Sequence, residues 1–309
     1  MRDATLKQLR AFAAVARHRS FTEAARELHL TQPAVSMQVK ALEGLAGMPL
    51  VERAGREVAV TPAGAELLVH ARAALRALDD ARDALAALRG LSSGRVSIAV
   101  VSTAKYFAPK LLARFARAHP ALDLRLYVAN RETVLRRLVD DEVDLAIMGT
   151  PPRHLETTAF AFAKHPLVVV APPDHPLARG RRVPVRALDG APFLVREPGS
   201  GTRAAMERYF RAHRVRPGRT TELESNETIK QAVMAGMGLA FLSRHAVGLE
   251  LRAGALAVLD VEGLPVVRSW HVVHRTGRRL SPAADALERF VLEHGRAFLD
   301  AWPAPARAD

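Results

Sequence analysis

The sequence predicts an all-α winged helix-turn-helix domain continued by a long linker helix, and then a larger α/β domain of two lobes. Three observations carry this. Helical periodicity fills the first 90 residues, a Gly/Ser stretch interrupts the pattern near residue 92, and strand and helix segments alternate from there onward. With 309 residues there is room for two or three domains, each able to bury a core. Hydrophobic residues at 49% and charged residues at 25% exclude a disordered or collagen-like chain.

Leu6, Leu9, Phe12, Val15 and Ala16 share one face of a first helix, and Phe21, Ala24, Ala25 and Leu28 that of a shorter second. LHLTQPAVS then supplies a tight turn, with Thr31 as N-cap and Pro33 in the first turn of a third helix, whose Val35, Val39 and Leu42 are buried. Three helices with a tight turn before the third make the helix-turn-helix pattern. LVERAGREVAV reads as a two-stranded wing around a glycine turn, and Thr61-Pro62 starts the next helix.

Along that helix Leu67, Ala71, Ala74, Leu78, Ala81, Leu85 and Leu88 recur with alternating spacings of four and three, a heptad stripe that predicts self-association. GLSSGR at 90–95 reads as the domain boundary. The expected division is a DNA-binding domain over 1–62, a linker and dimerisation helix over 63–90, and a ligand-binding domain over 95–309. In that last domain, lobe I takes approximately 95–165 and 268–303, and lobe II 166–267.

RVSIAVV, LDLRLYVA and VDLAIM are strands separated by the helices PKLLARFARAH and RETVLRRLVDD. A second series restarts with PLVVVAP, APFLVRE, TTELES and GLAFLS, and WHVVHR and a helix from Pro282 to about Asp300 close the chain. Two such units place a cleft between lobes, with the carboxyl ends of the strands pointing into it.

The chain carries 45 Lys+Arg against 32 Asp+Glu, a net +13, which points to an anionic partner. Residues 1–94 hold 13 basic against 10 acidic residues, and 95–309 hold 32 against 22, so the excess lies in the second part. On the third helix Thr31, Gln32, Pro33, Ser36, Met37 and Lys40 project away from the buried face toward base edges and phosphates, and Arg53 and Arg56 of the wing reach the backbone. In REPGSGTR, Gly199, Ser200, Gly201 and Thr202 form a turn into a helix N-terminus suited to an anion, flanked by Arg196 and Arg203. Ser102, Thr103 and Lys105 after one strand, and Asn226 beside Ser225 and Glu227 after another, lie across the same cleft.

No catalytic set, metal site or cofactor is expected. Cysteine is absent, the histidines are scattered, and His271 and His274 fall on opposite faces of a strand. DDEVD at 140–144 reads as a helix end followed by a strand. The polar start MRDATLKQLR and short apolar runs such as PLVVVAP predict a cytoplasmic protein without membrane association.

SFTEAARELHLTQPAVSMQVKALE, LVER and VTPAGAELL resemble the winged helix-turn-helix of LysR-type transcriptional regulators, and HPLA, GAPFLV and AGMGLAFLS resemble their effector domain. Within that family VVSTAKYFAPKLLARF, NRETVLRRL, DLAIMGTPP, FLVREPGSGTRAAMERYF and SNETIKQAVMAGMGLAFLSRH are similar to the CbbR-type regulators of the Calvin-cycle and RuBisCO operon. The resemblance implies a periplasmic-binding-protein-like effector domain and a homo-oligomer built as a dimer of dimers. It further implies binding to double-stranded DNA at an interrupted inverted repeat, action on RNA polymerase, and an anionic metabolite effector such as ribulose bisphosphate, phosphoenolpyruvate or NADPH. By position it assigns Gln32, Pro33, Ser36, Lys40 and Arg53 to DNA, and Ser102, Thr103, Thr150, Thr202 and Asn226 to the effector. Two positions depart from the family pattern: Met37 stands where many members carry arginine, and Val51 where phenylalanine is frequent. Two alternatives remain open: a LysR-type regulator of another pathway with an aromatic carboxylate effector, and a cytoplasmic sugar-phosphate-binding protein or enzyme.

Overall fold

The computed structural model describes residues 1, 3–54, 57–88, 94–152, 155–277 and 279–301. The chain divides into two compact units, Met1–Leu91 and Ser92–Asp309.

In the first unit, α1 (Leu6–His18) opens with a capping box in which Thr5 and Gln8 satisfy each other's backbone N–H groups. α2 (Phe21–Leu28) and α3 (Gln32–Ala46) follow, then the antiparallel pair β1 (Val51–Ala54) and β2 (Glu57–Val60), then α4 (Pro62–Leu88). Phe12, Val15, Val35, Val39 and Leu42 are fully buried together. Leu6 departs from expectation: it lies at the first residue of α1, one turn short of the packed face, and is 43% exposed. The heptad stripe of α4 divides. Leu67 and Ala71 pack on this core, whereas Ala74, Leu78, Ala81 and Leu85 are exposed. Residues 89–93 of the expected linker, and Arg56, lie outside the described residues.

The second unit runs β3 (Gly94–Val101), α5 (Ala108–Ala118), β4 (Leu122–Ala129), α6 (Arg131–Val139), β5 (Leu145–Met148), β6 (Thr157–Ala171) and β7 (Phe193–Arg196). It continues through α7 (Gly201–His213), β8 (Thr220–Leu223), α8 (Asn226–Met234), β9 (Leu239–Ser243), the short α9 (Gly248–Arg252), β10 (Ala257–Val258), β11 (Val266–Arg275) and α10 (Pro282–Asp300). In DDEVD, Asp140 caps α6, and Asp144 is buried, accepting from the Ser97 N–H at 2.8 Å and the Ser97 hydroxyl at 2.6 Å.

Two expectations need correction. PLVVVAP is only the second half of a 15-residue strand, β6, whose first half, TTAFAFAKH, continues into lobe I. The sheet is also mixed rather than purely parallel. β3, β4 and β5 are parallel, as are β7, β8 and β9, but β6 and β11 run antiparallel to each other and to their neighbours β9 and β5. The order is β4-β3-β5-β11-β6-β9-β7-β8, with β10 paired to β6. The chain therefore leaves lobe I through β6 and returns through β11. These strands pair from Val266 opposite Leu167 to Arg275 opposite Thr157, with a bulge between Trp270 and His271. One core lies in lobe I around Phe107, Phe115 and Trp270, and two flank the sheet of lobe II.

A candidate nucleic-acid face and an anion cleft

α2 ends at His29 in the left-handed conformation, φ 53°, and two residues later the Thr31 hydroxyl accepts from the Ala34 N–H at 3.4 Å to open α3. This short turn pins Val35, Val39 and Leu42 under the other helices and leaves Thr31, Gln32, Pro33, Met37 and Lys40 exposed, with Ser36 half-buried. The wing is anchored to this helix: Glu43 Oε1 accepts from the N–H groups of Leu50 at 2.9 Å and Val51 at 3.2 Å. Arg53 is exposed on β1. The N-terminus of α3 thus presents free N–H groups and short polar side chains to solvent, an arrangement that suits phosphates and base edges.

In the second unit, the ends of β3, β5, β7 and β8 deliver Ser102, Thr150, Ser200 and Asn226 to one cleft. Ser102, Thr103, Thr150, Arg196, Ser200, Gly201 and Thr202 line a cavity of about 20 Å³, room for a single water. Lys105 and Asn226 instead face an outer groove of about 550 Å³.

Arg196 is 3% exposed. Its guanidinium donates twice to Glu197 (2.7 and 2.8 Å), to Asn226 Oδ1 (2.6 Å) and to the Ser102 hydroxyl (3.0 Å). Asn226 Nδ2 donates on to the Ser102 carbonyl at 3.4 Å. Arg196 thus ties the lobes together, and its charge is met by a carboxylate. Arg203 does not reach the cavity. It donates to Glu207, Glu222 and the Arg196 carbonyl on the outer side of α7, and the two glutamates raise its pKa. Lys105 Nζ lies 3.7 Å from Glu227, which also accepts from the Tyr106 hydroxyl at 2.6 Å. Gly199 is left-handed (φ +81°), and a Cβ there would stand 2.6 Å from Glu132 Oε2. Ser200 caps α7.

Sequence reasoning missed the charges that do face the cavity. Arg268 on β11 donates to the Gly201 carbonyl (3.0 Å) and the Thr150 hydroxyl (3.4 Å). Arg131, the first residue of α6, donates to the Thr150 carbonyl (3.2 Å). Among the described residues neither forms an ion pair. Burial, then Arg208 and Arg131, push Arg268 down to about 10, and burial, then Arg208, lowers Arg131. His165 on β6 completes the floor, stacked on Trp270 at 3.8 Å with Nε2 3.1 Å from the Ser243 hydroxyl. The available signals were Arg131 at a helix start in NRETVLRRL and Arg268 just before SWHVVHR. Among the described residues no group of three or more His, Cys, Asp or Glu side chains could hold a metal ion, and no helix is long and apolar enough to cross a membrane.

The histidines beneath the floor make the second unit acid-sensitive. Burial, then Arg244, lowers His245 to about 4, and burial, then Arg268 and His245, holds His165 well below its usual value. Both are neutral when folded. Below pH 6.5 the unfolded chain binds protons that the folded chain refuses, so stability is present at neutral pH and falls as pH drops toward 4. The loss at His245 alone is about 3 kcal/mol. Urea unfolding at pH 7, 6 and 5 is expected to show a falling midpoint, less steep in His245→Gln; equal slopes in the two chains would reject this assignment.

A three-helix reading surface with a wing, joined to a two-lobed domain whose cleft gathers uncompensated arginines, defines a ligand-responsive DNA-binding protein. Residues 6–65 match the family described as bacterial regulatory helix-turn-helix protein, lysR family, and residues 89–296 match the LysR substrate binding domain. The chain is 51% identical over 299 residues to the HTH-type transcriptional regulator CfxR of Cupriavidus necator, covering 97% of this chain and 94% of that one. It is 52% identical over 286 residues to the HTH-type transcriptional regulator CbbR of Rhodospirillum rubrum, covering 93% and 95%. The regulatory domain of CcmR from Synechocystis PCC6803, solved in complex with 2-PG, superposes with a TM-score of 0.63 at 39% identity, over 65% of this chain and 97% of that chain. The chain belongs to the LysR family of transcriptional regulators.

Proposed function

We propose that this chain regulates transcription of a RuBisCO operon in response to a small anionic metabolite, reading DNA with α3 and the wing and the metabolite with the cleft. The observation that carries the DNA reading is the exposed polar N-terminus of α3, held on a fully buried Val35–Val39–Leu42 face. Relatives of about half identical sequence, among them the regulator of Rhodospirillum rubrum, support the operon. A RuBisCO operon transcriptional regulator of Allochromatium vinosum, 50% identical over 290 residues, names it outright. The CcmR complex with 2-PG supports a small ligand in this domain, and ribulose bisphosphate, phosphoenolpyruvate and NADPH are the candidates here.

Residues 1–62, 63–90 and 95–309 serve as reading domain, dimerisation helix and effector domain in this scheme. The exposed Ala74, Leu78, Ala81 and Leu85 on α4 favour pairing of two copies along that helix, the first step toward a dimer of dimers on an interrupted inverted repeat. The protein works in the cytoplasm, without catalysis. The metabolite shifts the equilibrium between two assemblies only by the difference of its affinities for them.

Fluorescence anisotropy on the DNA upstream of the chain's own gene, at fixed salt and with or without ribulose bisphosphate and phosphoenolpyruvate, tests this reading. Gln32→Ala or Ser36→Ala is expected to cost about 1–3 kcal/mol of specific binding while random-sequence affinity holds. Unchanged specific affinity would remove α3 from the reading surface.

A further inference from the structure

The floor of the cleft holds donors that nothing in the fold satisfies. Arg268 Nε and His165 Nδ1 are buried side-chain atoms without a hydrogen-bond partner, and His165 is only 1% exposed. They converge beside Gly149. A Cβ on Gly149 would lie 2.6 Å from His165 Nδ1 and 3.2 Å from an Arg268 terminal nitrogen, Nη2. The backbone at Gly149 is not left-handed, so its glycine is explained by space rather than by φ. The N-terminus of α7 borders the same spot: Gly201 accepts from Arg268 through its carbonyl, and Arg131 Cδ lies 3.3 Å from where a Cβ on Gly201 would stand.

We propose that Arg268, Arg131 and His165 form the seat for the anionic end of the effector, that Gly149 keeps this seat open, and that the group seated there is a phosphate monoester rather than a carboxylate. The proposal rests on the effector reading given above and names its ligand chemistry. Arg196 and Arg203 are already met by carboxylates, whereas Arg131 and Arg268 form no ion pair among the described residues. A carboxylate brings one charge and two oxygens. A phosphate monoester brings close to two charges and three acceptor oxygens, which matches two guanidiniums, an imidazole N–H and the adjoining helix end. With the Ser243 hydroxyl donating to His165 Nε2, the imidazole proton sits on Nδ1 and faces the seat as a neutral donor.

The test is isothermal titration of the full-length protein with phosphoenolpyruvate and with pyruvate, which differ by the phosphate. The wild type is expected to bind phosphoenolpyruvate at least tenfold more tightly. Arg268→Gln and Arg131→Gln are each expected to weaken phosphoenolpyruvate at least tenfold, and Gly149→Ala likewise by filling the seat, while Arg203→Gln leaves it unchanged. Operator affinity and melting temperature report whether each variant is folded; if Arg268→Gln is not, Arg131→Gln and Arg268→Lys decide. Wild-type affinity in the folded floor variants would overturn the seat but leave the effector reading standing. Equal affinity for pyruvate would overturn the phosphate, and no response to either phosphoenolpyruvate or ribulose bisphosphate would overturn both the seat and the effector reading.

Discussion

A Gly64→Val chain is expected to lose the packing of its N-terminal unit and with it DNA affinity. Gly64 sits in the first turn of α4, where the helix starts against the backbone that leads into the wing. A Cβ at this position would fall 2.0 Å from the Leu50 carbonyl oxygen and 2.8 Å from Val60 Cγ1. The same carbonyl already accepts from the Thr61 N–H at 3.1 Å, and the Thr61 hydroxyl bridges Pro49 and Gly64. The clash is with main chain, so no rotamer change relieves it, and the penalty lies at or above the usual limit for overpacking, about 3 kcal/mol. Amide hydrogen exchange over residues 6–60 measures it directly. Protection equal to the wild type would show that α4 can shift at no cost.

The second large effect is at Arg196. An Arg196→Ala chain leaves the Glu197 carboxylate, Asn226 Oδ1 and the Ser102 hydroxyl without their donor in a site where the arginine side chain is 2% exposed and Glu197 13% exposed. Removing one partner of a buried pair costs about 3–5 kcal/mol. Arg203→Ala breaks two ion pairs at the surface, where such pairs contribute no more than about 1 kcal/mol. Urea unfolding of the two variants side by side should separate them clearly. Equal losses would mean that the bonds of Arg196 between the lobes contribute nothing beyond an exposed pair.

The contrast between these arginines marks where the sequence stops being readable. Charge counting located the basic excess beyond residue 95 and helix-start chemistry located the turn at 199–202, because both are local properties of the chain. Which arginine is neutralised is not local. Glu222 reaches Arg203 from β8, and Ser102 reaches Arg196 from the other lobe. Only the Arg203–Glu207 pair, four residues apart on α7, was legible in advance. Arg268 and His165 were hidden for another reason: they lie on the two strands that cross between lobes, and the first half of β6, TTAFAFAKH, shows weak alternation because both its faces are partly covered. The reading helix was the opposite case. Its cap, proline and buried stripe are spaced within 12 residues, and Thr31, Pro33, Val35, Val39 and Leu42 fall where periodicity places them.

The passage of the chain between lobes through β6 and back through β11 has a mechanical side. Two strands laddered to each other from Leu167–Val266 to Thr157–Arg275 form a ribbon that resists stretching and in-plane bending, since either would break hydrogen bonds along its length. Twist is the soft coordinate of such a ribbon, and the bulge at Trp270 and His271 concentrates it beside the aromatic stack under the cleft. The lobes are thus the two ends of a torsion bar. Work done on the cleft turns one lobe about the ribbon's own axis, and what a neighbouring subunit feels is an angle.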